Sequence, residues 1–311
     1  MTSIHIIGAG VVGTATGKGF AQHGHNVSFV DVDSARISIL RQEGYAASDA
    51  LVLGDRPTII FLTLPTPNDG YRWNLDYIKA GAGSVGAALR DSRAVHTVVV
   101  RSTVPPGSCD AVVRPILEDV SGRRADDGFA LASNPEFLRA RCALEDFLYP
   151  RMTVIGSRSP RTLERLDDLL RPFGGEIRRY RDPRTAELIK CTHNLYNATK
   201  ISFWNELWQV SQRLGLDGDT IAETVALSSE ASYNTAYGIA GGNPYGGACL
   251  PKDTKGFLGF AGSLGIDVPM AAATDRVNER MLELATAGIE PRADEMDLLE
   301  LETVGEKATA R

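Results

Sequence analysis

Short apolar segments alternate with longer amphipathic or loop segments through the first half of the chain. The apolar segments have the length of β-strands, and the stretches between them are long enough for crossover helices. The pattern therefore predicts a mainly parallel sheet covered by helices. The predicted strands are Ser3 to Ile7, Val27 to Val30, Thr58 to Leu64, Thr97 to Val100, Phe129 to Ala132 and Met152 to Ile155.

A glycine-rich turn, GAGVVG, follows the first predicted strand and opens a helical stretch that runs to His23. Gly8 would allow the tight turn, Gly10 the approach of a pyrophosphate, and Gly13 close packing of helix and strand. Together with the strands on either side, this turn predicts a dinucleotide site. Its backbone contacts would come from Gly8, Gly10, Val11, Val12 and Gly13.

The second predicted strand ends at Asp31, a carboxylate suited to the ribose hydroxyls of NAD. Arg36 stands close behind it and is a basic group that could tolerate the 2′-phosphate of NADP. Because a 2′-phosphate beside Asp31 would be repelled, we predict NAD as the cofactor, with both residues in contact with it.

Polar residues gather where further predicted strands end. In an open parallel sheet, ligands bind outside the carboxyl ends of the strands. We therefore expect these loops beside the cofactor, with cofactor contacts from Thr66, Pro67, Ser102 and Thr103. The loops are Thr66-Pro67, Ser102-Thr103 and Asn134-Pro135-Glu136.

The second half of the chain is predicted to be helical. Asp182 and Pro183 are typical of an N-cap and a first helical position, and the helical pattern runs on toward Leu214. A glycine-rich loop then holds Cys249, and another helix is expected from about Thr254.

Lys190, Asn194 and Asn197 fall at helical spacing, so they share one face of the long helix. One interpretation is a solvated polar stripe. The tryptophans and leucines around them favour instead a substantially buried helix, in which a lysine and an asparagine need partners.

These patterns predict an α/β fold: a Rossmann-like parallel sheet that binds NAD over residues 1–182, followed by an all-helical central domain over 183–286. Residues 287–311 are acidic and form either a disordered tail or a docking helix. A chain of 311 residues is long enough for two cores, since single cores stop growing at roughly 250–300 residues.

Composition narrows the class of protein. The formal net charge is −6 and charged residues make up 23% of the chain, so no nucleic-acid partner is expected. No apolar run approaches the roughly 20 residues of a membrane span, and no signal peptide is expected before the glycine turn. The four cysteines are widely spaced, which predicts free thiols, no metal site and a cytoplasmic protein.

Cys249 stands among glycines and is followed closely by Lys252 and Asp253. Because glycines have no side chain, a substrate carbonyl can come close to this thiol, and a thiolate there is suited to covalent attack on that carbonyl. Combined with a nicotinamide, such a thiol indicates oxidation of an aldehyde through a thioester. The alternative is a buried structural cysteine beside a turn.

Taken in order, seven motifs make the chain resemble the UDP-glucose/GDP-mannose dehydrogenase family from residue 4 to about residue 280. Members of that family are nucleotide-sugar dehydrogenases that oxidise a primary alcohol to a carboxylate with two NAD. The motifs are GAGVVG, DVDSARI, PTPNDG, RSTVPPG, NPEFLR, AELIK with Asn194, and GGACLPKD.

The resemblance implies a catalytic role for several residues. Cys249 would add to the aldehyde to give a thiohemiacetal, which is then oxidised to a thioester. Lys190 would stabilise the developing oxyanion, and Glu136 would be the general base for thioester hydrolysis. Supporting roles would fall to Asn194 at the reacting oxygen, Asp253 at a water that accepts the alcohol proton, and Thr103 at the hydrolytic water.

The resemblance also implies a homodimer formed through the central helices. Three departures from the family concern the substrate. The family's third domain, which grips the nucleotide, has no counterpart before Arg311, and the region where the family has an arginine reads Ser232 to Thr235. After NPEFLR, Ala140 and Arg141 stand where the family usually has Glu-Gly. The substrate is thus left open among a sugar nucleotide, a sugar and a nucleotide. Substrate contacts are expected from Phe137, Leu138, Lys190, Asn194, Tyr245 and Gly246, and a cofactor contact from Lys252.

Two other functions stay open from the sequence. One is a two-electron oxidation of a nucleoside or nucleotide hydroxyl, with Cys249 retained through ancestry or for packing. The other is an idle NAD-binding subunit that pairs with a full-length relative. For two of the catalytic candidates a structural role is also open: Glu136 would cap a backbone amide, and Asp253 would cap the helix that follows it.

Overall fold

The computed structural model describes residues 1–287. Nearly all of the predicted acidic tail therefore lies outside the described residues. The chain divides into two compact units, Met1–Leu195 and Tyr196–Arg311. This division falls inside the long helix after Asp182, later than the domain boundary expected from the sequence at residue 182, which stays a prediction.

The first unit is built on an eight-stranded sheet, and a two-stranded hairpin (β5 and β6) stands apart from it. The strands are β1 (Ser3–Ile7), β2 (Asn26–Val30), β3 (Ala46–Ser48), β4 (Ile59–Leu62), β5 (Asn68–Asp69), β6 (Arg72–Trp73), β7 (His96–Val100), β8 (Phe129–Ser133), β9 (Met152–Gly156) and β10 (Glu176–Tyr180). Their order across the main sheet is β10-β9-β8-β7-β4-β1-β2-β3.

The predicted parallel sheet is confirmed for most of these strands. From β3 across to β8 all neighbours are parallel, whereas β9 meets β8 antiparallel through Ser133 and Gly156. Strand β10 runs parallel to β9. The pair β9 and β10 therefore runs in the opposite direction, and Gly156, the last residue of β9, lies level with Ser133 at the carboxyl end of β8.

Neighbouring residues on the central strands pack on opposite faces of the sheet, as the two-residue period of a strand requires. On β4, Phe61 belongs to one buried apolar cluster and Ile60 to another. Val99 and Val98 on β7 divide in the same way. Because both faces are covered, the strands are continuously apolar.

Helices cover this sheet and make up the second unit. The predicted first helix and the long helix from Pro183 to Leu214 are confirmed. The helices are α1 (Val11–Gln22), α2 (Ser34–Gln42), α3 (Asp76–Asp91), α4 (Arg114–Ser121), α5 (Ala143–Leu148), α6 (Pro160–Leu170), α7 (Pro183–Leu214), α8 (Gly218–Ser228), α9 (Glu230–Tyr233), α10 (Leu250–Ser263) and α11 (Pro269–Thr286).

Helix α7 begins where the sequence predicts and is less buried than expected. The Asp182 carboxylate accepts a hydrogen bond from the backbone N–H of Arg184 at 2.9 Å, as an N-cap does. Lys190 is buried, but the expectation of a largely buried helix is wrong for Leu188, Leu195 and Trp208, which are more than half exposed in this chain.

The second unit has a small apolar core centred on Val210, Ala261 and Val268. Glu206 of α7 is buried, and its carboxylate accepts hydrogen bonds from the backbone N–H groups of Met270 and Ala271 in the first turn of α11. Across residues 1–287, no helix is long and apolar enough to cross a membrane.

Candidate functional site

The glycine turn between β1 and α1 has the shape that a dinucleotide site requires. Gly8 has a φ of +95°, which residues with a side chain rarely adopt. A Cβ on Gly13 would lie 1.9 Å from the Gly8 carbonyl oxygen, so only glycine fits there. The Thr63 hydroxyl holds the same carbonyl by a 2.6 Å hydrogen bond.

Gly10 meets a different environment. A Cβ built on Gly10 would have no protein atom within 4 Å, so it would point into open space at the start of α1. Gly10 is the N-cap of α1, no side chain caps this end, and the first turn holds no acidic residue. The N–H groups of this turn, with Val11 and Val12, fit the pyrophosphate of NAD, because a helix N-terminus binds anions.

Asp31 lies at the carboxyl end of β2 and is fixed in place. Its carboxylate accepts hydrogen bonds from the backbone N–H of Ala9 at 2.6 Å and of Asp33 at 2.9 Å. The Arg36 guanidinium lies 3.5 Å from the same carboxylate. The structure thus brings Asp31 and Arg36 together beside the glycine turn, and their contact with the adenosine ribose stays a prediction.

The loops after β4 and β7 are tied to each other. The Thr66 hydroxyl donates to the carbonyl of Thr103 at 2.7 Å, and the Ser102 hydroxyl donates to the carbonyl of Leu64 at 2.7 Å. Because both loops follow parallel strands, they lie at the same edge of the sheet as the glycine turn. Thr66, Pro67, Ser102 and Thr103 therefore lie together at this edge, and their contact with the cofactor stays a prediction.

Glu136 and Lys190 form a buried ion pair. Lys190 Nζ lies 3.1 Å from Glu136 Oε1, and the two side chains are 7% and 13% exposed. The other carboxylate oxygen accepts the backbone N–H of Leu138 at 2.6 Å. The ammonium also lies 5.4 Å from the centre of the Phe137 ring. The buried lysine expected from the sequence thus has its partner, and Glu136 also makes the backbone cap given as an alternative.

Two neighbours on α7 extend this cluster. The His193 ring packs edge-on against Phe137, with their centres 4.9 Å apart. Its pKa is lowered by burial and by the charge of Lys190, against the opposing effect of Glu136. Asn194 lies one turn beyond Lys190 and is exposed in this chain. The resulting cluster places a carboxylate, an ammonium and an imidazole together.

Cys249 belongs to the second unit, where it is exposed at the N-cap of α10. This helix begins at Leu250, so the predicted start near Thr254 is wrong: proline is tolerated in a first helical turn, and Pro251 occupies such a position. Asp253 therefore lies within the helix and does not cap it. Its carboxylate pairs with Lys252 at 2.7 Å, and both side chains are exposed.

Tyr245 and Gly246 precede Cys249 in the same loop. The Tyr245 hydroxyl is buried and has no hydrogen-bond partner among residues 1–287. It lines a pocket of about 320 Å³ with Asn243 and Asn278, each of which also has a buried polar side-chain atom without a partner among those residues. Gly246 is exposed.

Arg101 is a residue that the sequence analysis did not single out. It ends the apolar run of β7 and is only 5% exposed. The signal was a charged residue directly after five buried strand positions, within the RSTVPPG motif. Glu187 is another, a fully buried carboxylate on α7 that accepts the backbone N–H of Cys109 at 2.8 Å.

Among residues 1–287, the cysteines and the acidic side chains form no cluster of the kind that a metal centre needs. Cys109, Cys142, Cys191 and Cys249 are all free thiols. In the part of the chain that the structure describes, no group of three or more histidine, cysteine, aspartate or glutamate side chains could hold a metal ion.

Comparison with known families decides the class of the protein. Residues 2–51 and 53–174 match the UDP-glucose/GDP-mannose dehydrogenase family, NAD binding domain, and residues 184–280 match the central domain of the same family. The chain belongs to this family. It is an NAD-dependent dehydrogenase, and the turn, the helix N-terminus and Asp31 are the parts of the first unit that fit NAD.

Individual relatives agree with the family assignment. The chain is 34% identical to the GDP-mannose 6-dehydrogenase of Pseudomonas syringae pv. tomato, covering 91% of this chain and 69% of that one. It is 33% identical to the UDP-glucose 6-dehydrogenase AglM of Haloferax volcanii, covering 90% and 71%. The crystal structure of a ternary complex of GDP-mannose dehydrogenase from Pseudomonas aeruginosa superposes with a TM-score of 0.83 at 30% identity, covering 91% and 71%.

Proposed function

We propose that the protein oxidises the primary alcohol of a nucleotide sugar to a carboxylate, in two steps that each use NAD, through a thioester on Cys249. The observation that carries the proposal is the buried pair of Glu136 and Lys190 at the carboxyl edge of an NAD-binding sheet. The names of the relatives, GDP-mannose and UDP-glucose 6-dehydrogenases, support a nucleotide sugar as the substrate.

Each proposed role follows from the chemistry of the side chain. When bound, NAD would supply the hydride acceptor for both oxidations, of the alcohol to the aldehyde and of the thiohemiacetal to the thioester. The Cys249 sulfur adds to the aldehyde carbon while its thiol proton passes to the aldehyde oxygen, which gives the thiohemiacetal. In the second oxidation this proton passes to water, and the oxygen carries negative charge as it leaves. Lys190 stabilises that charge, with Asn194 at the same oxygen, because a fixed cation in a water-poor site needs no reorganisation. Asp253 positions the water that takes the proton of the alcohol.

Hydrolysis then releases the product. Glu136 takes a proton from a water molecule that Thr103 orients, and the water oxygen attacks the thioester carbonyl. The carbon–sulfur bond breaks, the carboxylate leaves, and Cys249 recovers its proton. The hydrogen bond from Leu138 and the ion pair with Lys190 hold the carboxylate of Glu136 for this step. Phe137, Leu138, Tyr245 and Gly246 are proposed to contact the substrate, and Lys252 the cofactor.

The test is the yield of NADH per substrate consumed, measured first with GDP-mannose and then with UDP-glucose, sugar phosphates and nucleotides. Two NADH per substrate and a carboxylate product are expected. Cys249→Ser should lose carboxylate formation by roughly a thousandfold or more, since serine is a far weaker nucleophile. Cys142→Ser is the matched control, because Cys142 is another thiol that is not buried, and it should keep full activity.

Other outcomes would select the alternatives. One NADH per substrate, a ketone product and an active Cys249→Ser variant would indicate a two-electron oxidation. Turnover only after a full-length relative is added would indicate the idle subunit.

We also propose a cytoplasmic homodimer formed through α7. Leu195 and Ile201 on this helix are 66% and 62% exposed, and Trp208 is 52% exposed. Exposed apolar residues of this size on one long helix favour burial against a second copy, because such a contact removes them from water.

A further inference from the structure

We propose that Arg101 is a positioning residue for the reaction: its buried guanidinium holds the loop that carries Glu136 against the helix that follows the glycine turn. The proposal concerns residues of the first unit only. It rests on the proposed role of Glu136, and it adds a residue to which neither the sequence motifs nor the relatives' names give a function.

The contacts of Arg101 reach two elements at once. Its Nε donates to the Thr16 hydroxyl of α1 at 2.9 Å, and its Nη1 donates to the side-chain oxygen of Asn134 at 2.6 Å. The planar fork of a guanidinium fixes the direction of both bonds, which the single ammonium of a lysine would not do. Arg101 therefore sets the distance between the cofactor helix and the start of the catalytic loop.

Asn134 passes this position on to Glu136. The Asn134 amide donates to the carbonyl of Val154 on β9 at 2.7 Å, so its side chain is held on both sides. Only Pro135 separates it from Glu136, and the proline ring fixes φ and leaves a single soft backbone dihedral at that residue. A displacement of Asn134 would therefore displace the Glu136 carboxylate, whose Oε1 lies 3.1 Å from Lys190 Nζ.

Within residues 1–287, no carboxylate lies at hydrogen-bonding distance from the Arg101 guanidinium. The guanidinium carbon lies 5.2 Å from the centre of the Phe147 ring, a weakly favourable contact for a cation. Burial lowers its pKa to about 10, while the charge of Glu136 acts in the opposite direction. Arg101 therefore stays charged at neutral pH, and Glu136 is the acidic group that compensates it through space.

Four variants distinguish the geometry of the Arg101 hydrogen bonds from its charge and from the stability of the first unit. Arg101→Met removes the charge and the fork, Arg101→Lys keeps the charge alone, and Thr16→Val removes only the contact to α1. Arg123→Met is the matched control. Arg123 is a partly buried arginine of the same unit that donates to three backbone carbonyls, those of Leu89, Ser92 and Ala94.

The first measurement needs no turnover. Hydrogen–deuterium exchange in the full chain should show faster exchange of the Leu138 amide in Arg101→Met, by about tenfold or more, because the amide is bonded to Glu136. Arg123→Met should leave this amide unchanged. Equal exchange in wild type and Arg101→Met would overturn the proposal.

The second measurement is the kinetics with whichever nucleotide sugar the wild type oxidises. Arg101→Met should lower kcat by roughly 10- to 100-fold with KM for NAD changed less than threefold, since a misplacement near 1 Å costs this much. Arg101→Lys and Thr16→Val should fall between it and wild type. A kcat within twofold of wild type in Arg101→Met, or an equal loss in Arg123→Met, would overturn the proposal.

The two measurements distinguish the two hypotheses. If exchange responds as expected and wild type oxidises no nucleotide sugar, the proposed function fails and the positioning of the loop by Arg101 stands. If wild type turns over and neither exchange nor kcat responds to Arg101→Met, the positioning role fails and the proposed function stands.

Discussion

Individual glycines at the NAD turn serve different purposes, although they stand a few positions apart. Gly13 is required by the fold, because a Cβ there would collide with the Gly8 carbonyl. Gly10 is under no such demand, since its φ of −69° suits any residue and its Cβ would be free of protein contacts. We propose that bound NAD occupies the open space beside Gly10.

Alanine substitutions should separate these purposes. Gly13→Ala should lower the free energy of unfolding by about 2–4 kcal/mol, as overpacking of this severity does. Gly10→Ala should keep the unfolding free energy and lower NAD affinity by roughly tenfold or more. Urea denaturation and calorimetric titration with NAD measure the two effects.

A third glycine is the control for alanine itself. Gly83 lies within α3 and has open space at its Cβ, so Gly83→Ala should be neutral or stabilise by about 0.5–1 kcal/mol with unchanged NAD affinity. Equal loss of NAD affinity in all three variants would contradict this account.

Contacts between residues far apart in the sequence limit how much of the site can be predicted from the sequence alone. Glycines, Asp31 and Glu136 stand in recognisable local patterns, and the structure places them at one edge of the sheet. The sequence marks Arg101 only as a charged residue directly after a buried strand, because its partners are far along the chain: Thr16 is 85 positions away and Asn134 is 33. No local pattern encodes such a pairing.

At the scale of elements, the strongest patterns predicted the central strands and the long helix, and the edges of the sheet were missed. Strand β3 has three residues and β10 reads EIRRY, with three charged positions. An edge strand needs no apolar face toward a second neighbour, so its sequence lacks the signal that marks a central strand.

A pH-sensitive group lies at the amino end of the central strand β7, away from the glycine turn. His96 is fully buried, and its Nδ1 accepts a hydrogen bond from the backbone N–H of Thr58 at 3.2 Å. Its Nε2 lies 2.8 Å from the Ser92 hydroxyl, and that hydroxyl donates to the carbonyl of Gly54. These contacts suit the neutral ring with its proton on Nε2. Burial is the main cause that lowers the pKa of His96 to about 4 from 6.5, and the charges of Arg123, His5 and Arg165 act in the same direction, against Asp55.

Because the folded-state pKa is lowered, the unfolded chain binds the proton first as the pH falls. The stability that neutral His96 contributes is complete above pH 6.5 and is lost toward pH 4, by about 3 kcal/mol in total. Urea unfolding at pH 7 and pH 4.5 should therefore show a smaller pH effect in His96→Gln than in wild type, by about 2–3 kcal/mol. Equal pH effects in the two proteins would rule out this role.

Helix α11 depends on a carboxylate from another helix. Its first two free N–H groups, at Met270 and Ala271, are bound by buried Glu206, while its own N-cap, Val268, has no capping side chain. Glu206→Gln should destabilise the protein by about 1–3 kcal/mol, because bonds to a charged acceptor at a helix N-terminus are replaced by neutral ones.

An exposed acid on the same helix supplies the comparison. Glu279 pairs with Lys255 at 2.7 Å and is 54% exposed, so Glu279→Gln should cost under about 1 kcal/mol. Thermal or urea unfolding of both variants tests the difference. Similar losses in the two would show that the capping contact contributes nothing special.

For the whole molecule, the exposed apolar residues of α7 lead to a prediction about assembly. Ile201→Glu places a charge on the proposed contact between two copies and should shift sedimentation from dimer to monomer at micromolar concentration, since a buried unpaired charge is costly. Val52→Glu, at an exposed valine of the first unit, should leave the dimer intact. A wild-type protein that sediments as a monomer would exclude the dimer.

The packing of α7 against the end of β9 fixes the direction in which Lys190 projects from the helix. Helix α7 starts against the end of β9, where a Cβ on Gly156 would lie 2.8 Å from the Pro183 Cα. From there to Lys190 is seven residues, or about 10 Å along the axis. One inserted residue in this stretch would turn Lys190 by about 100° away from Glu136 without altering either side chain. Chimeras that exchange this segment between relatives can therefore vary its composition freely at exposed positions, while its length is fixed.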